Sequence, residues 1–317
     1  GDLVNAGHEV WIEHDAGTRA GHPDEAYARL GVKIAPDAAA LYEKAQLVVK
    51  VKEPVGGEVA LLRRDHLLFC YLHLAAAPEL ARSLVETGLT AVAFETVELE
   101  DGSLPLLAPM SVIAGRIAAQ VGATLLHAPN GGKGRLLGGL PSTGRGKAVV
   151  LGGGQAGGSA AALLSAVGAE VVVFEKRLDR MDTLMRLGHN VTALYPYQDV
   201  LAREVAQADL VVGAVLIPGA RAPRVLTRPM LEAMEEGGAV IDISIDQGGC
   251  FETSRPTTWD EPTFVEHGVT HFCVTNMPAS VPQTASQAIC AAIAPWVDVL
   301  ASGQWRGKAG GYAVQGL

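Results

Sequence analysis

No run of lysines and arginines occurs in this sequence, and acidic residues outnumber basic ones, 34 to 25, for a formal net charge of −9. Nucleic acid is therefore not an expected partner. No apolar run reaches the roughly 18–20 residues of a membrane span, and no signal peptide is apparent, so no membrane partner is expected either. Cysteine is scarce. Cys70, Cys250, Cys273 and Cys290 lie too far apart for a metal knuckle or a redox pair, and no metal site is expected. Cys70, in "LLFCYL", and Cys290, in a helix-like run, read as packing residues, which suits a reducing, cytoplasmic setting. No internal repeat is close enough to use.

What remains is an ordinary globular composition, 49% hydrophobic and 19% charged, in a chain of 317 residues that is long enough for two domains. Apolar strands alternate with helical patterns, the signature of a parallel-sheet α/β protein. Strands are expected at Glu9–Glu13, Gln46–Lys52, His66–Leu72 and Thr90–Val97. A second set is expected at Lys147–Gly152, Glu170–Glu175, Asn190–Tyr195, Asp209–Leu216, Ala239–Ile245 and Thr270–Asn276. "DEAYARLG" and "PELARSLVETG" end in glycines placed as helix C-caps. Met110–Leu126 reads as one long helix whose small residues allow close packing. The glycine-rich segment Ala128–Lys147 reads as a long loop, of the kind that serves function or a subunit contact. An apolar helix from Gln283 to Ala301 closes the pattern. The expected fold is two Rossmann-like α/β domains with parallel sheets and a cleft between them. Residues 1–106 with 284–317 would form the substrate domain, and 107–283 the NAD-binding domain.

"VVKVKEPV" puts Lys50 and Lys52 on one face of a strand that Pro54 ends. Two readings stand: a solvated strand end that discourages edge pairing, or a cationic group at the carboxyl end of a parallel strand, where open α/β sheets bind ligands. "VVLGGGQAGGSAAALL" carries Gly152, Gly154 and Gly157 in a G-x-G-x-x-G turn between a strand and an alanine-rich helix. Gly152 suits the tight turn, Gly154 the close approach of backbone to a pyrophosphate, and Gly157 close helix–strand packing. Glu175 follows at nearly the ~20-residue spacing expected of a ribose-binding carboxylate. It favours NAD, although Lys176 and Arg177 next to it could serve a 2′-phosphate. His73, just after an apolar strand, and Asp246, ending the fifth strand of the second set, are the candidates for proton transfer. Each has a plainer reading, a structural histidine and an aspartate of simple turn chemistry.

The segments "KVKEP", "YLHLAA", "LPLLAPMS", "GGKG", "GAVLIPGARAP", "IDQGGCFE" and "TNMPASVP" resemble, in order and spacing, the alanine dehydrogenase family. That resemblance covers nearly the whole chain. It implies NAD-linked interconversion of L-alanine with pyruvate and ammonium, in a homo-oligomer that is commonly a hexamer. It implies that Lys52 and His73 bind substrate and that His73 and Asp246 act as acid and base. It also implies that Ser111 lies near the nicotinamide and that Asp246 and Asn276 belong to the cofactor side. The pattern departs from the family's in three ways. The chain begins at Gly1, past the family's first strand and its substrate-binding arginine, and it stops at "GGYAVQGL". It also has Val112 and "LPSTGRG" where the family has other residues. Two other readings are kept: a dinucleotide-binding paralogue impaired in catalysis, and an NAD(H)-binding chain of the transhydrogenase α type.

Overall fold

The computed structural model describes residues 1–75, 77–217 and 220–303. "GGYAVQGL" and the rest of 304–317 lie outside the described residues, as do two residues of "GAVLIPGARAP". The chain divides into two compact units, Gly1–Pro109 with Val281–Leu317, and Met110–Ser280.

In the first unit, helix α1 (Asp2–Asn5) leads to strand β1 (Trp11–Glu13), α2 (Asp24–Ala28), β2 (Lys33–Ala35) and α3 (Ala38–Lys44). Then come β3 (Leu47–Val49), β4 (Leu67–Cys70), α4 (Pro78–Thr87) and β5 (Thr90–Ala93). β1 and β2 pair in parallel, and β3, β4 and β5 form a parallel sheet in that order. α4 stops where expected, because Gly88 takes the left-handed conformation (φ 69°). Tyr42, Val48, Leu68, Cys70, Leu72 and Leu84 make the core of this unit.

The second unit opens with α5 (Ala108–Leu125), whose first two residues belong to the first unit. It continues with β6 (Lys147–Leu151), α6 (Gln155–Ala166), β7 (Glu170–Phe174), α7 (Leu178–Met185) and β8 (Val191–Leu194). After α8 (Gln198–Ala206) come β9 (Leu210–Gly213), α9 (Arg228–Glu232), β10 (Ala239–Asp242), β11 (Thr263–Glu266) and β12 (Val269–Phe272). The seven strands run β11-β12-β10-β9-β6-β7-β8, all parallel except the edge strand β11. This is a doubly wound order with its switch point between β6 and β9. Val172, Val149, Val211 and Val240 stand side by side across the sheet and all enter one core. On the other face α5 lies so close that a Cβ at Gly122 would sit 2.6 Å from Leu210. Both faces are covered, which is why these strands are continuous apolar runs rather than alternating ones.

Several expected elements are corrected. The strand expected at Gln46–Lys52 stops at Val49, so Lys50 and Lys52 lie in the loop beyond it. The strand expected at Ala239–Ile245 stops at Asp242, and Asp246 sits on a 3-10 turn, Ile243–Gln247. Asp242 causes this stop: its side chain caps the turn by accepting from the Ser244 amide at 2.9 Å. β2 and β11 were not foreseen, since both are short and β11 is half exposed. α10 (Pro282–Ala301), which closes the first unit, has the length and composition of a membrane span, with a mean hydropathy of 1.3. The sequence suggested no such segment. One helix of this kind is weak evidence for a membrane, and Ile289, Val297 and Leu300 on it are buried within the protein.

The long loop after α5 turns inward at the amino edge of the large sheet. Lys133 donates to the buried Asp209 at 2.7 Å, Arg135 reaches the same carboxylate at 3.4 Å, and the Lys147 amide donates to it at 2.7 Å. Asp209→Ala would leave the half-buried Lys133 ammonium, among the described residues, with the exposed Glu235 as its remaining ion-pair partner. We expect a loss of about 3 kcal/mol in urea unfolding. Asp209→Asn, which keeps an acceptor for Lys147, should lose less.

His271 on β12 is fully buried. Its Nδ1 faces the Val269 carbonyl at 3.0 Å and its Nε2 the Thr253 hydroxyl at 2.8 Å, partners that suit the neutral ring. Burial lowers its pKa, as it does for His66. The unfolded chain therefore takes up protons below about pH 6.5 that the folded chain refuses. Stability should be complete above that pH and decline as pH falls through it. A urea midpoint unchanged between about pH 7.5 and pH 5.5 would contradict this.

Candidate active site

In both units, polar side chains gather where parallel strands end. In the first unit the backbone of the β3 exit runs beside that of β4: the Lys50 amide donates to the Phe69 carbonyl at 3.2 Å, and the Tyr71 amide to the Val51 carbonyl at 3.1 Å. Lys52 is thus carried along the same edge as Leu72 and His73, and both Lys52 and His73 are half-buried. Lys50 has a structural partner set. Its ammonium pairs with Glu58 and donates to the Glu53 carbonyl at 3.2 Å, while Glu58 also accepts from the Val55 amide at 2.7 Å.

His73 has φ 47°, left-handed for a residue with a side chain. Such a conformation costs roughly 1–2 kcal/mol and persists only where its surroundings enforce it. Its ring stacks on Tyr71 with centroids 5.7 Å apart and planes at 5°. The Tyr71 hydroxyl donates to the Leu106 carbonyl at 2.6 Å, which fixes the face against which His73 lies.

In the second unit the glycine turn leaves β6. Gly152 has φ 98°, and a Cβ on it would meet the Ala214 carbonyl at 2.6 Å. A Cβ on Gly157 would come within 1.8 Å of the Gly152 carbonyl oxygen, so α6 can lie this close to the strand only with glycine there. Gly154 is the N-cap of α6, and the nearest atom to a Cβ there is Arg180 Nη1 at 3.7 Å. The backbone is therefore open to an approaching ligand at the end of a helix that presents unpaired amides. Glu175 turns back onto this loop, accepting from the Gly153 amide at 3.1 Å and from Lys176 and Arg177 amides at 2.7 and 3.0 Å. The Arg177 guanidinium pairs with Asp179 at 2.6 Å. These residues fit a dinucleotide: a bare helix N-terminus for its phosphates and a carboxylate for a ribose. Ser111 lies in the first turns of α5, which crosses α6 closely. Ser159 donates to the Val112 carbonyl at 3.1 Å, and a Cβ on Gly115 would meet the Ala156 carbonyl at 2.1 Å.

Past β10, Asp246 accepts from the Asn276 amide at 3.2 and 3.1 Å, so these two predicted residues are brought together. Asn276 is itself left-handed, at φ 53°. Asp242, fully buried, gathers the amides of Ser244, Cys250 and Phe251 and the hydroxyl of Ser254. Burial raises its pKa against the pull of those donors. It shapes the loop that carries Asp246. Sequence reasoning gave no role to Asp242, Gly153, Arg180 or Glu95. The only signal for the two acids is that each ends an apolar strand, as Lys50 does.

The chain matches the family model for the alanine dehydrogenase/PNT N-terminal domain over residues 1–114 and that for the C-terminal domain over residues 118–310. Alanine dehydrogenase of Halomonas elongata is 45% identical over 306 residues, 96% of this chain and 82% of that protein. That of Bacillus subtilis is 44% identical over 95% of this chain and 79% of its own length. A solved L-alanine dehydrogenase superposes with a TM-score of 0.88 at 47% identity, covering 95% of this chain and 83% of the other. A transhydrogenase from Sinorhizobium meliloti superposes at 0.81 with 23% identity, covering 94% and 87%, a likeness of fold.

Gly157→Ala forces α6 away from β6, because the atom it strikes is backbone. Dinucleotide affinity measured by calorimetry should fall at least about tenfold, with a lower thermal midpoint. Unchanged affinity would remove this turn from the site.

Proposed function

The chain belongs to the alanine dehydrogenase/PNT family, and on that premise we propose that it is an NAD-dependent amino-acid dehydrogenase interconverting L-alanine with pyruvate and ammonium. The observation that carries this reading is the match to curated alanine dehydrogenases along almost the whole chain. The likeness to the transhydrogenase rests on fold alone and favours no second reading.

Bound NAD supplies the hydride acceptor for the Cα–H of alanine. Gly152, Gly154 and Gly157 would hold its pyrophosphate against the α6 N-terminus, and Glu175 would take the ribose hydroxyls. Ser111 and Asn276 would serve its nicotinamide end. The Glu175 carboxylate repels a 2′-phosphate, and Arg177, which could have welcomed one, is engaged with Asp179. Both features support NAD over NADP.

Lys52 carries a positive charge for the substrate carboxylate and for the oxygen that becomes the pyruvate carbonyl. Charge preorganised toward a developing oxyanion is worth more than charge that must be recruited from solvent. His73 and Asp246 move protons. The alanine ammonium gives a proton to one of the two residues, and loss of hydride from the neutral amine leaves an iminium. Water adds to its carbon and gives a proton to the other residue. The first residue returns its proton to the nitrogen, and ammonia leaves as the added hydroxyl gives up its proton to the vacated base and becomes the carbonyl. Asp246 also accepts from the Asn276 amide, a contact that fixes the orientation of its side chain. The four cysteines are all unpaired, which supports a cytoplasmic setting, and the family resemblance supports a homo-oligomer.

NADH formation from L-alanine and NAD, followed by near-ultraviolet absorbance on the intact protein, tests the proposal. We expect turnover with NAD, at least about tenfold lower kcat/KM with NADP, and a loss of about 10²-fold in kcat/KM in Lys52→Ala. Undiminished turnover in Lys52→Ala would remove that residue from the mechanism. Binding of NAD without turnover in the wild type would leave a dinucleotide-binding paralogue.

A further inference from the structure

Glu95 has no part in the chemistry above, yet it is one of the few buried carboxylates in the protein, 7% exposed. It lies in the 3-10 turn Phe94–Thr96, directly after β5. Its carboxylate faces the exit of the neighbouring strand. The Leu72 amide donates to its two oxygens at 3.1 and 3.2 Å, and the His73 amide donates to Oε1 at 2.6 Å. Two successive amides converge on one anion only where the backbone curls into a nest, which needs a left-handed residue. His73, at φ 47°, is that residue. The nest is braced by rings: Phe94, beside Glu95, packs edge-on against Phe69 and Tyr71 at 4.4 and 4.9 Å, and Tyr71 carries the stacked His73 ring. The φ of a residue sets the direction in which its Cβ leaves the chain. Relaxation of His73 to an extended conformation would therefore swing the imidazole away from its present place on Tyr71.

We propose that Glu95 is a positioning residue: by anchoring the Leu72 and His73 amides it holds His73 in its left-handed conformation and so aims the imidazole at substrate. This rests on the reading of His73 as an acid–base and substrate-binding group. The anchor acts through the backbone, so it is independent of which ring nitrogen carries the proton. It also gives a reason for an acid directly after the apolar strand "TAVAF", where a buried charge is otherwise unfavourable.

The test is a double-mutant cycle on the full enzyme, with kcat, KM for alanine and KM for NAD measured for wild type, His73→Ala, Glu95→Ala and the double variant. Glu95→Ala should lower kcat at least about tenfold, leave KM for NAD within about twofold, and cost nothing further in the His73→Ala background. Glu95→Gln should recover most of the activity, because its amide oxygen can accept the amides that Oε1 accepts. Should Glu95→Ala fail to fold, Glu95→Asp, one methylene short of the nest, carries the same cycle with a smaller loss. Equal fractional losses in both backgrounds would overturn the proposal and leave Glu95 a stabilising residue only. Unchanged turnover in His73→Ala would instead overturn the functional reading of His73, a result separable from the first.

Discussion

The central strands of the large sheet, β6, β7, β9 and β10, are dry on both faces, and most of what surrounds them follows from that. Val149, Val211 and Val240 are fully buried, as are Val150, Val173 and Val212 facing the other way. A charge placed anywhere along these strands would have no water and no partner. Polar chemistry is therefore confined to the two ends of the strands. At the amino edge it is structural: Asp209 ties Lys133, Arg135 and the Lys147 amide into one cluster and seals the return of the long loop. At the carboxyl edge the strands release the glycine turn, Glu175 and the loop of Asp246.

The same division shapes the smaller parallel sheet of the first unit. β4 is buried along its whole length, and the cluster proposed as the site begins past Cys70. There Lys50 is spent on Glu58, while Tyr71, His73 and Glu95 interlock through ring stacking and backbone amides. Each unit thus has a buried carboxylate, Asp242 or Glu95, that accepts several amides of a loop at its carboxyl edge. Each such loop carries a residue proposed for proton transfer. A carboxylate suits this task because it accepts several N–H groups at once, and such charge-assisted bonds are shorter and stronger than neutral ones.

Much of this architecture was legible in the sequence. The valine-rich strands, the capped helix ending at Gly88 and the alternation of strand and helix were read from local patterns that survive without tertiary context. Strand ends were read too late by several residues. Past Val49 and Asp242 apolar residues go on alternating with polar ones, Val51 in one case and Ile243 and Ile245 in the other, beyond the point where the strand stops; past Asp242 its side chain takes over the Ser244 amide. Thus Asp246, expected on a strand, stands on a 3-10 turn. The short strand β11 was missed because a half-exposed edge strand lacks a continuous apolar run. Of the candidate site residues, Gly152, Gly154, Gly157 and Glu175 were legible as one group, since turn chemistry and spacing link them.

The sequence by itself determined the parallel α/β class, the place of the glycine turn and the set of polar residues that follow apolar strands. Those signals are carried by periodicity, by the missing Cβ of glycine and by short spacing, all properties of neighbouring residues. Only the tertiary structure decided that Lys50 pairs with Glu58, that Asp242 shapes the loop on which Asp246 sits, and that Glu95 faces His73. The Glu95–His73 pair spans 22 residues, and the Asp246–Asn276 pair on the loop that Asp242 shapes spans 30. No local pattern encodes such pairs, because they exist only once parallel strands have brought their ends to one edge.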